Sequence, residues 1–109
     1  MEKKEENITC PVTATIALIG GRWKTIILYI LSAHTRRFGA IAARMPNISR
    51  KVLTEQLKEL EADGLISRTQ YKEMPPRVDY ALTDLGKSLH PILHDIAAWG
   101  QEKILDAAK

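Results

Sequence analysis

The stretch ISRKVLTEQLKELEADGL, residues 48–65, predicts one helix with clearly marked ends. Ser49 can cap the amino end through its hydroxyl, and Gly64 stands where a left-handed residue would close the carboxyl end. The apolar positions that recur at helical spacing, and are therefore expected to face a core, are Leu53, Leu57 and Leu60. The side chains expected on the opposite, solvent-facing side are Lys51, Glu55 and Lys58.

The charges of this helix oppose its macrodipole, which favours acids in the first turn and bases in the last by typically ~0.3–1 kcal/mol each. The first turn instead carries Arg50 and Lys51. The last turn carries the acids Glu59, Glu61 and Asp63. Local violations of this kind tend to mark functional or strained sites. The alternative is a chance arrangement on a solvated face, and these residues alone leave both interpretations open.

Length and composition indicate a single globular domain. The chain has 109 residues, of which 45% are hydrophobic and 27% are charged. No apolar run approaches the ~20 residues of a membrane span, and the opening residues MEKKEENITC contain no hydrophobic signal core. We therefore expect a soluble, cytoplasmic protein that makes no membrane contact. The single cysteine, Cys10, excludes an internal disulfide.

The basic charge is concentrated in one segment, although the net charge of the chain is only +3. Residues 36–58 carry six basic side chains and one acidic side chain, whereas residues 83–109 carry three basic and four acidic ones. The six bases are Arg36, Arg37, Arg44, Arg50, Lys51 and Lys58. Such clustering is typical of a surface that binds nucleic acid.

Three helices are predicted before the opening stretch. The first runs from Pro11 to about Ile19 and is ended by the glycines at 20 and 21. The core positions of the second are Trp23, Ile26, Ile27, Ile30 and Leu31. The third follows a connection over residues 34–37, carries Phe38, Ile41 and Met45, and is stopped by Pro46. Residues 1–9 are expected to form a mobile charged tail, and residues 10–109 one domain.

The third helix, a tight connection and the opening stretch have the form of a helix-turn-helix whose second helix is basic at its amino end. Two strands are predicted next, Ile66–Tyr71 and Arg77–Leu82, joined by the proline-stiffened loop KEMPP. A β-hairpin directly after a recognition helix is a wing. The predicted fold class is therefore α+β, mostly α: a winged helix-turn-helix with extra amino- and carboxyl-terminal helices for dimerisation.

One last helix is predicted, capped by Thr83 and bent at Pro91. Its apolar stripe consists of Leu85, Leu89, Ile92, Ile96 and Trp99. A stripe of this length at the end of a small domain suggests contact with a second chain. The residues predicted for that interface are Ile92, Ile96 and Trp99.

Six motifs occur in one order along the chain: CPV at 10–12, LIGGRWK at 18–24, RRF at 36–38, the opening stretch, PPRVDYALTDLG at 75–86 and WG at 99–100. With them the chain resembles the HxlR-type transcriptional regulators from Cys10 to about Gly100. The resemblance implies a MarR-like winged helix-turn-helix homodimer from a bacterium or archaeon. Its terminal helices would pair, and its two heads would bind a pseudo-palindromic operator in double-stranded DNA. No cofactor is implied, and the sequence does not identify a small-molecule effector.

Nine residues are predicted to contact DNA: Arg36, Arg37, Ser49, Arg50, Lys51, Thr54, Glu55, Lys58 and Arg77. Arg50 and Lys51 would face phosphates or guanine edges in the major groove, and Arg77 would enter a neighbouring minor groove. Thr54 could touch a thymine methyl group, and Glu55 could accept from cytosine. For Arg77, Thr54 and Glu55 the alternative is an ordinary solvent-facing position without a DNA contact.

Cys10 has two interpretations. Members of the resembled family often carry a cysteine just before this proline, and in some of them it senses quinones, oxidants or reactive aldehydes. The resemblance therefore implies a redox-sensing role for Cys10, and a position near a helix start would lower its pKa. The alternative is a buried cysteine that only packs.

Competing functions are less well supported by the residues. His90 and His94 have helical spacing suited to a metal, but only Asp95 could act as a third ligand, so no metal site is predicted. Cys10 with His34, His90 or His94 lacks the glycine turn and orienting acid of a nucleophilic enzyme, so no catalytic site is predicted. A winged helix that binds only protein would not need the clustered bases. RNA binding would need stacking aromatics on the same face.

Overall fold

The computed structural model of the protein describes residues 9–108, so the tail predicted over residues 1–9 lies almost wholly outside the described residues. Within this range the chain forms six α-helices: α1 (Pro11–Ile19), α2 (Lys24–Ala33), α3 (Phe38–Ala43), α4 (Arg50–Ala62), α5 (Asp84–Lys87) and α6 (His90–Gly100). A π-helical turn over Gln101–Leu105 continues α6. The strands are β1 (Arg36–Arg37), β2 (Ile66–Tyr71) and β3 (Arg77–Leu82).

Both ends of α4 form as the sequence predicts. The Ser49 hydroxyl accepts the backbone N–H of Val52 at 3.1 Å, which satisfies one of the free donors of the first turn. At the other end Gly64 has a φ of 78°, a left-handed conformation that glycine adopts without strain. The N–H groups of Gly64 and Leu65 donate back to carbonyls of the last turn at 3.0 Å each. This pair of bonds closes the helix and directs the chain into β2.

The hydrophobic core is shared by α2, α3 and α4 and is continued by β2, β3 and α6. Its most completely buried side chains are Ile27, Leu28, Ile41, Leu53, Leu57, Leu60, Leu65 and Ile66. The prediction for α2 was wrong at one position, because Ile26 is 40% exposed while Leu28 is fully buried. The buried face of α2 is centred on Ile27, Leu28 and Leu31, which turns Ile26 toward solvent.

The sheet contains three antiparallel strands in the order β1–β3–β2. The hairpin of β2 and β3 has the predicted bounds, and its register runs from Ile66 opposite Leu82 to Tyr71 opposite Arg77. Residues 34–37 were predicted to be a connection without regular secondary structure, but Arg36 and Arg37 form a strand that pairs with β3. Because successive strand residues point to opposite faces, these two neighbouring arginines are separated.

Thr83 connects the wing to α4. Its backbone N–H donates to the carbonyl of Leu65 at 3.1 Å, and its hydroxyl donates to the carbonyl of Gly64 at 2.6 Å. The same hydroxyl accepts the N–H of Gly86 at 3.1 Å and so caps α5. Gly86 is buried, and a Cβ built there would overlap the carbonyl oxygen of Leu65. The ends of α4 and β3 and the start of α5 therefore form one closely packed junction.

The prediction of one long, bent final helix was wrong. Thr83 caps only the four-residue helix α5, and α6 begins at His90. Pro91 lies in the first turn of α6, where its missing N–H needs no partner. In an uninterrupted helix that N–H would have bonded to the carbonyl of Lys87, and the proline ring would have crowded this carbonyl. The chain therefore ends one helix and begins another.

No single helix within residues 9–108 is long and apolar enough to cross a membrane. Helices α1 and α2 reach the required length and composition only as a pair, and that pair is bent by 80°.

Candidate nucleic-acid interface

The amino end of α4 presents two basic side chains to solvent. Arg50 and Lys51 are exposed, whereas the leucine face of the same helix is buried. The guanidinium carbon of Arg50 lies 4.5 Å from the centre of the Phe38 ring, within the range of a cation–π contact. Phe38 thus limits the orientation of Arg50 while leaving its N–H groups free. The sequence pattern placed Phe38 on the third predicted helix but not beneath Arg50, because nothing local indicates which side chain will cover an aromatic ring.

The other side chains of α4 that are predicted to contact DNA differ in exposure and in whether their hydrogen-bonding groups are already engaged. Glu55 and Lys58 are exposed on the outer face. Thr54 is half-buried, and its hydroxyl donates to the carbonyl of Arg50 at 2.9 Å. Its methyl group therefore remains for a base contact, while its donor is engaged in the helix. Ser49 is exposed and accepts a bond as the cap, so its own hydroxyl proton is free for a phosphate.

The acidic end of α4 has a structural partner. Glu59 forms an ion pair with Lys24, with Oε1 and Nζ 2.6 Å apart and the lysine side chain only 13% exposed. This pair joins α4 to the start of α2. One acid of the reversed charge order, Glu59, therefore has a structural role, because it fixes the carboxyl end of α4 to its neighbour.

Arg77, the predicted wing contact, is held within the hairpin. Its guanidinium carbon lies 4.2 Å from the centre of the Tyr71 ring. Its Nη2 is 3.7 Å from Glu73 and its Nε is 3.5 Å from Asp79, and the side chain is 29% exposed. Entry into a minor groove would require Arg77 to leave both acids, so this role remains a prediction.

The two arginines of β1 have different environments. Arg37 is exposed. Arg36 is half-buried, and its Nε donates to the carbonyl of Ile30 at the long distance of 3.5 Å. The predicted phosphate contact is therefore sterically simpler for Arg37 than for Arg36, which points toward the carboxyl end of α2.

Cys10 occupies the position that precedes the first turn of α1 and is exposed. The prediction of a lowered pKa is supported by its hydrogen bonds. The Thr13 side chain contributes most, and the backbone N–H groups of Thr13 and Val12 add to it, so the pKa of the Cys10 thiol lies below its usual value. The alternative of a cysteine buried in the core of the chain is wrong, because the thiol is open to solvent.

The predicted interface residues of α6 are largely uncovered. Ile92, Ile96 and Trp99 are 51%, 56% and 60% exposed, whereas Leu93, which faces the core, is 3% exposed. Other exposed apolar side chains at the two ends of the chain are Val12, Ile16, Ile104 and Leu105. Exposed apolar surface on this scale commonly marks an interaction site.

The family model described as HxlR-like helix-turn-helix matches residues 18–107 of the chain. The matched region begins just before α2 and includes α4, the wing and α6. The chain belongs to the HxlR-like helix-turn-helix family. This membership confirms the resemblance inferred from the six motifs.

Individual relatives of this HxlR-like chain agree with the assignment. The HTH-type transcriptional regulator YtcD of Bacillus subtilis (strain 168) is 48% identical over 104 residues, which cover 95% of this chain and 81% of YtcD. The redox regulator HypR in its oxidized form superposes with a TM-score of 0.82 and 42% identity, covering 85% of this chain and 96% of HypR. A protein from Porphyromonas gingivalis W83 described as a MarR-family regulator has a TM-score of 0.85 and 38% identity, covering 90% and 96%.

The HxlR-like assignment confirms the predicted fold class, a mostly helical winged helix-turn-helix of MarR type. It also confirms the predicted function class, a transcriptional regulator. The individual DNA-contacting residues and the dimer interface stay predictions. His90 and His94 have ring centres 4.2 Å apart, and within residues 9–108 no group of three histidine, cysteine or acidic side chains is arranged to hold a metal.

Proposed function

We propose that this protein is a homodimeric transcriptional regulator that binds a pseudo-palindromic operator with α4 in the major groove. Residues 10–109 act as one DNA-binding and dimerisation domain, which works in the cytoplasm of a bacterium or archaeon, where the chromosome lies. The observation that carries the proposal is the free basic amino end of α4, where Arg50 and Lys51 are exposed while the leucine face is fixed in the core. Helix-turn-helix proteins commonly contact bases with this end of the recognition helix.

Direct contacts to base edges come from Arg50 and Lys51, because basic side chains pair well with the acceptors of guanine. Thr54 and Glu55 lie further along the outer face and contribute to sequence preference through a thymine methyl group and a cytosine amino group. The side chains that contact phosphates are Ser49, Lys58, Arg37 and, less directly, Arg36. Phosphate contacts position the protein and are independent of base sequence.

The wing adds a contact that must compete with its own acids. Arg77 exchanges Glu73 and Asp79 for the narrow minor groove of an A·T-rich flank, whose negative potential attracts arginine. The exchange is favourable only where that potential exceeds the attraction of the two carboxylates. This competition makes the wing contact selective for a narrow groove.

A second copy of the chain covers the exposed face of α6. Trp99, Ile96 and Ile92 supply the large apolar anchors that dominate the energy of protein interfaces. A two-fold dimer places two copies of α4 on successive major grooves, about 34–36 Å apart, which accounts for a pseudo-palindromic site.

Cys10 serves as a thiol sensor within this dimer. Its exposed position and lowered pKa favour the thiolate, which is the form that attacks oxidants and electrophiles. With diamide, two Cys10 thiols of the dimer form one disulfide, and diamide takes up two electrons and two protons to become the hydrazine. A quinone instead adds one Cys10 sulfur across a ring C=C bond; the thiol proton is taken up by the ring system, and a hydroquinone thioether forms without a further oxidant. HypR, a similar protein, is described as a redox regulator, which supports this part of the proposal.

No enzymatic step is part of the proposed function. The hydrogen bonds that stabilise the Cys10 thiolate come from Thr13 and Val12, whereas a catalytic thiol is activated by a neighbouring base.

The experiment is fluorescence anisotropy of the reduced protein with duplex DNA from immediately upstream of its own gene, in excess non-specific duplex, before and after diamide. We expect salt-sensitive binding with a slope of about −7 in log affinity against log salt, since a dimer would neutralise roughly eight phosphates. Diamide should release the DNA from the native protein but not from Cys10→Ser. If diamide released the DNA fully from the Cys10→Ser variant, the role of Cys10 as a sensor would be refuted. A flat salt response without operator preference would favour a winged helix that binds protein.

A further inference from the structure

The exposed outer face of α4 lies between two flanks that can be assigned from the partners of the helix. Arg50 and Glu59 are separated by about two and a half helical turns, so they point to opposite sides of α4. Arg50 lies over Phe38 at the start of α3, and Glu59 pairs with Lys24 at the start of α2. The start of α3 therefore borders one flank of the outer face, and the start of α2 borders the other.

A helix that lies in a major groove has one phosphate backbone on each side, because the groove is only about 12 Å wide. On the flank beside α3 the exposed base is Arg37, which is already proposed to contact phosphate. On the flank beside α2, Lys24 is only 13% exposed and is engaged by Glu59. The neighbouring base Arg22 is exposed. Arg22 is therefore free to meet the second backbone.

Arg22 lines a shallow cleft of about 250 Å³ between the start of α2 and the turn that joins α3 to α4. The cleft also contains Arg44 and Asn47, both exposed, and no acid is among the described residues that line it. Asn47 precedes the α4 cap Ser49 by two residues, so the cleft adjoins the amino end of α4. Its volume is below the usual range of small-molecule pockets, which favours contact with one group of a larger partner.

The two guanidinium groups of the cleft have donors to spare. The guanidinium carbon of Arg22 lies 4.6 Å from the centre of the Trp23 ring, a cation–π distance like that of Arg50. Arg44 donates from Nη1 to one backbone carbonyl at 2.9 Å. Within residues 9–108 neither Arg22 nor Arg44 forms an ion pair with a carboxylate, whereas Arg77 lies near two. Because a guanidinium carries five N–H donors, both arginines keep donors for an anion.

We propose that this cleft binds one phosphodiester group of operator DNA, on the backbone across the major groove from Arg37. A guanidinium pairs with phosphate through two parallel hydrogen bonds, and the amide of Asn47 supplies a further donor. The contact is with phosphate alone, so it strengthens binding to any duplex and fixes the position of α4 without reading bases. This inference rests on the proposed placement of α4 in the major groove.

The first test is fluorescence anisotropy of the reduced protein with the duplex from upstream of its own gene and with random duplex. Arg22→Gln should weaken binding to both duplexes about tenfold and lower the magnitude of the salt slope by about two, since each copy in the dimer loses one phosphate contact. Arg44→Gln should act in the same direction. Arg22→Lys should restore most of the salt slope, because it keeps the charge.

Lys87→Gln is the control for loss of one charge elsewhere, since Lys87 is exposed on α5, and it should change neither the affinity nor the salt slope. A loss confined to the upstream duplex in Arg22→Gln would overturn the proposal, because it would indicate a base contact. Unchanged binding of both duplexes by Arg22→Gln would also overturn it, and would favour an acidic protein surface as the partner of the cleft.

The contacted phosphate can be located by replacing single phosphates of the upstream duplex with neutral methylphosphonate. One such duplex should bind the native protein more weakly than the unmodified duplex, whereas Arg22→Gln should bind the two equally. For Arg37→Gln the corresponding phosphate should lie on the opposite side of the same major groove. If no phosphate distinguishes Arg22→Gln from the native protein, or if both variants are insensitive at the same phosphate, the proposal is overturned.

This inference and the proposed function can fail separately. Operator preference in a protein whose binding does not depend on Arg22 would refute the phosphate contact and retain the proposed function. Binding to random duplex that depends on Arg22, without operator preference, would refute the operator and retain the phosphate contact. A protein that binds neither duplex would refute both.

Discussion

Helices α4 and α6 have similar amphipathic patterns but reach different degrees of burial. The α4 leucines Leu53, Leu57 and Leu60 are at most 1% exposed. In α6 only Leu93 is comparably buried, and the stripe that includes Ile96 and Trp99 is more than half exposed. The apolar face of α4 is buried within its own chain, whereas the apolar face of α6 is not. An apolar pattern therefore predicts which face of a helix is to be covered, but not whether the same chain covers it.

The largest expected effect concerns α4. Leu57→Ala should lower the free energy of unfolding by about 3 kcal/mol, because it leaves a cavity in a core that cannot fully close. Urea denaturation followed by circular dichroism measures the change. Ile96→Ala, measured at a concentration where the protein is monomeric, should lower it by less than about 1 kcal/mol. Equal losses of unfolding free energy in the two variants would contradict the conclusion that the apolar face of α4, but not that of α6, is buried within one chain.

The next effect concerns association through α6. Trp99→Ala should weaken the dimer by about 2 kcal/mol, roughly thirtyfold in Kd, since a large aromatic anchor is removed. Sedimentation equilibrium measures this Kd. Met74→Ala is the control, because Met74 is 94% exposed but lies in the wing loop. If the native protein stayed monomeric at high concentration, a second copy of the chain could not be what covers the exposed face of α6.

The outer face of α4 is tested by DNA affinity. Arg50→Ala should weaken operator binding by about 1–2 kcal/mol and reduce the preference for the operator over random duplex, because one contact to a base edge is lost. Lys87→Ala, on the exposed surface of α5, is the control for loss of net charge. Anisotropy titrations with the operator and with random duplex give both quantities. Equal effects of the two variants would remove α4 as the recognition helix.

A smaller effect should come from the ring beneath Arg50. Phe38→Leu keeps an apolar residue at the start of α3 but removes the cation–π contact, and operator binding should weaken by about 0.5–1 kcal/mol. In the Arg50→Ala background the same change should have little further effect, since the two side chains act together. Additive losses in this double-mutant cycle would mean that Phe38 acts only through stability.

The smallest expected effect concerns Cys10, the exposed residue that precedes the first turn of α1. Because its pKa is lowered, the thiolate persists to lower pH than in a free cysteine, and the rate of alkylation by iodoacetamide should rise with pH over a correspondingly lower range. Thr13→Val removes the largest cause and should move that range upward. Thr15→Val is the control, because the Thr15 hydroxyl donates to the carbonyl of Pro11 and is not among the groups that lower the pKa of Cys10. An unchanged profile for Thr13→Val would contradict the proposed cause.

The parts of the fold that were predicted correctly are those fixed by neighbouring residues. The helix α4 follows from Ser49, the leucine spacing and Gly64, and the strands of the wing follow from alternation around a proline-containing loop. The strand β1 could not be predicted, because Arg36 and Arg37 pair with β3 more than forty positions along the chain. The division of the last helix at Pro91 was open to local prediction, but a bend was expected in place of a break.

The candidate site divides in the same way. Arg50 and Lys51 could be assigned from the position of a cap. The partners that distinguish one arginine from another are distant in sequence or depend on side-chain direction: Phe38 beneath Arg50, the two acids around Arg77, and the Ile30 carbonyl beside Arg36. Counting bases therefore located the charged surface but did not separate the arginines that are free from those that have partners within the chain.

Gly86 sets a limit on how this chain can diverge. Its missing side chain leaves just enough space for the carbonyl oxygen of Leu65, at the junction where the wing, α4 and α5 meet. Any other amino acid would force α5 away from that carbonyl, and the direction in which α6 leaves the head would change with it. During evolution the exposed outer surface of α4 can change one residue at a time, whereas position 86 can change only together with its surroundings.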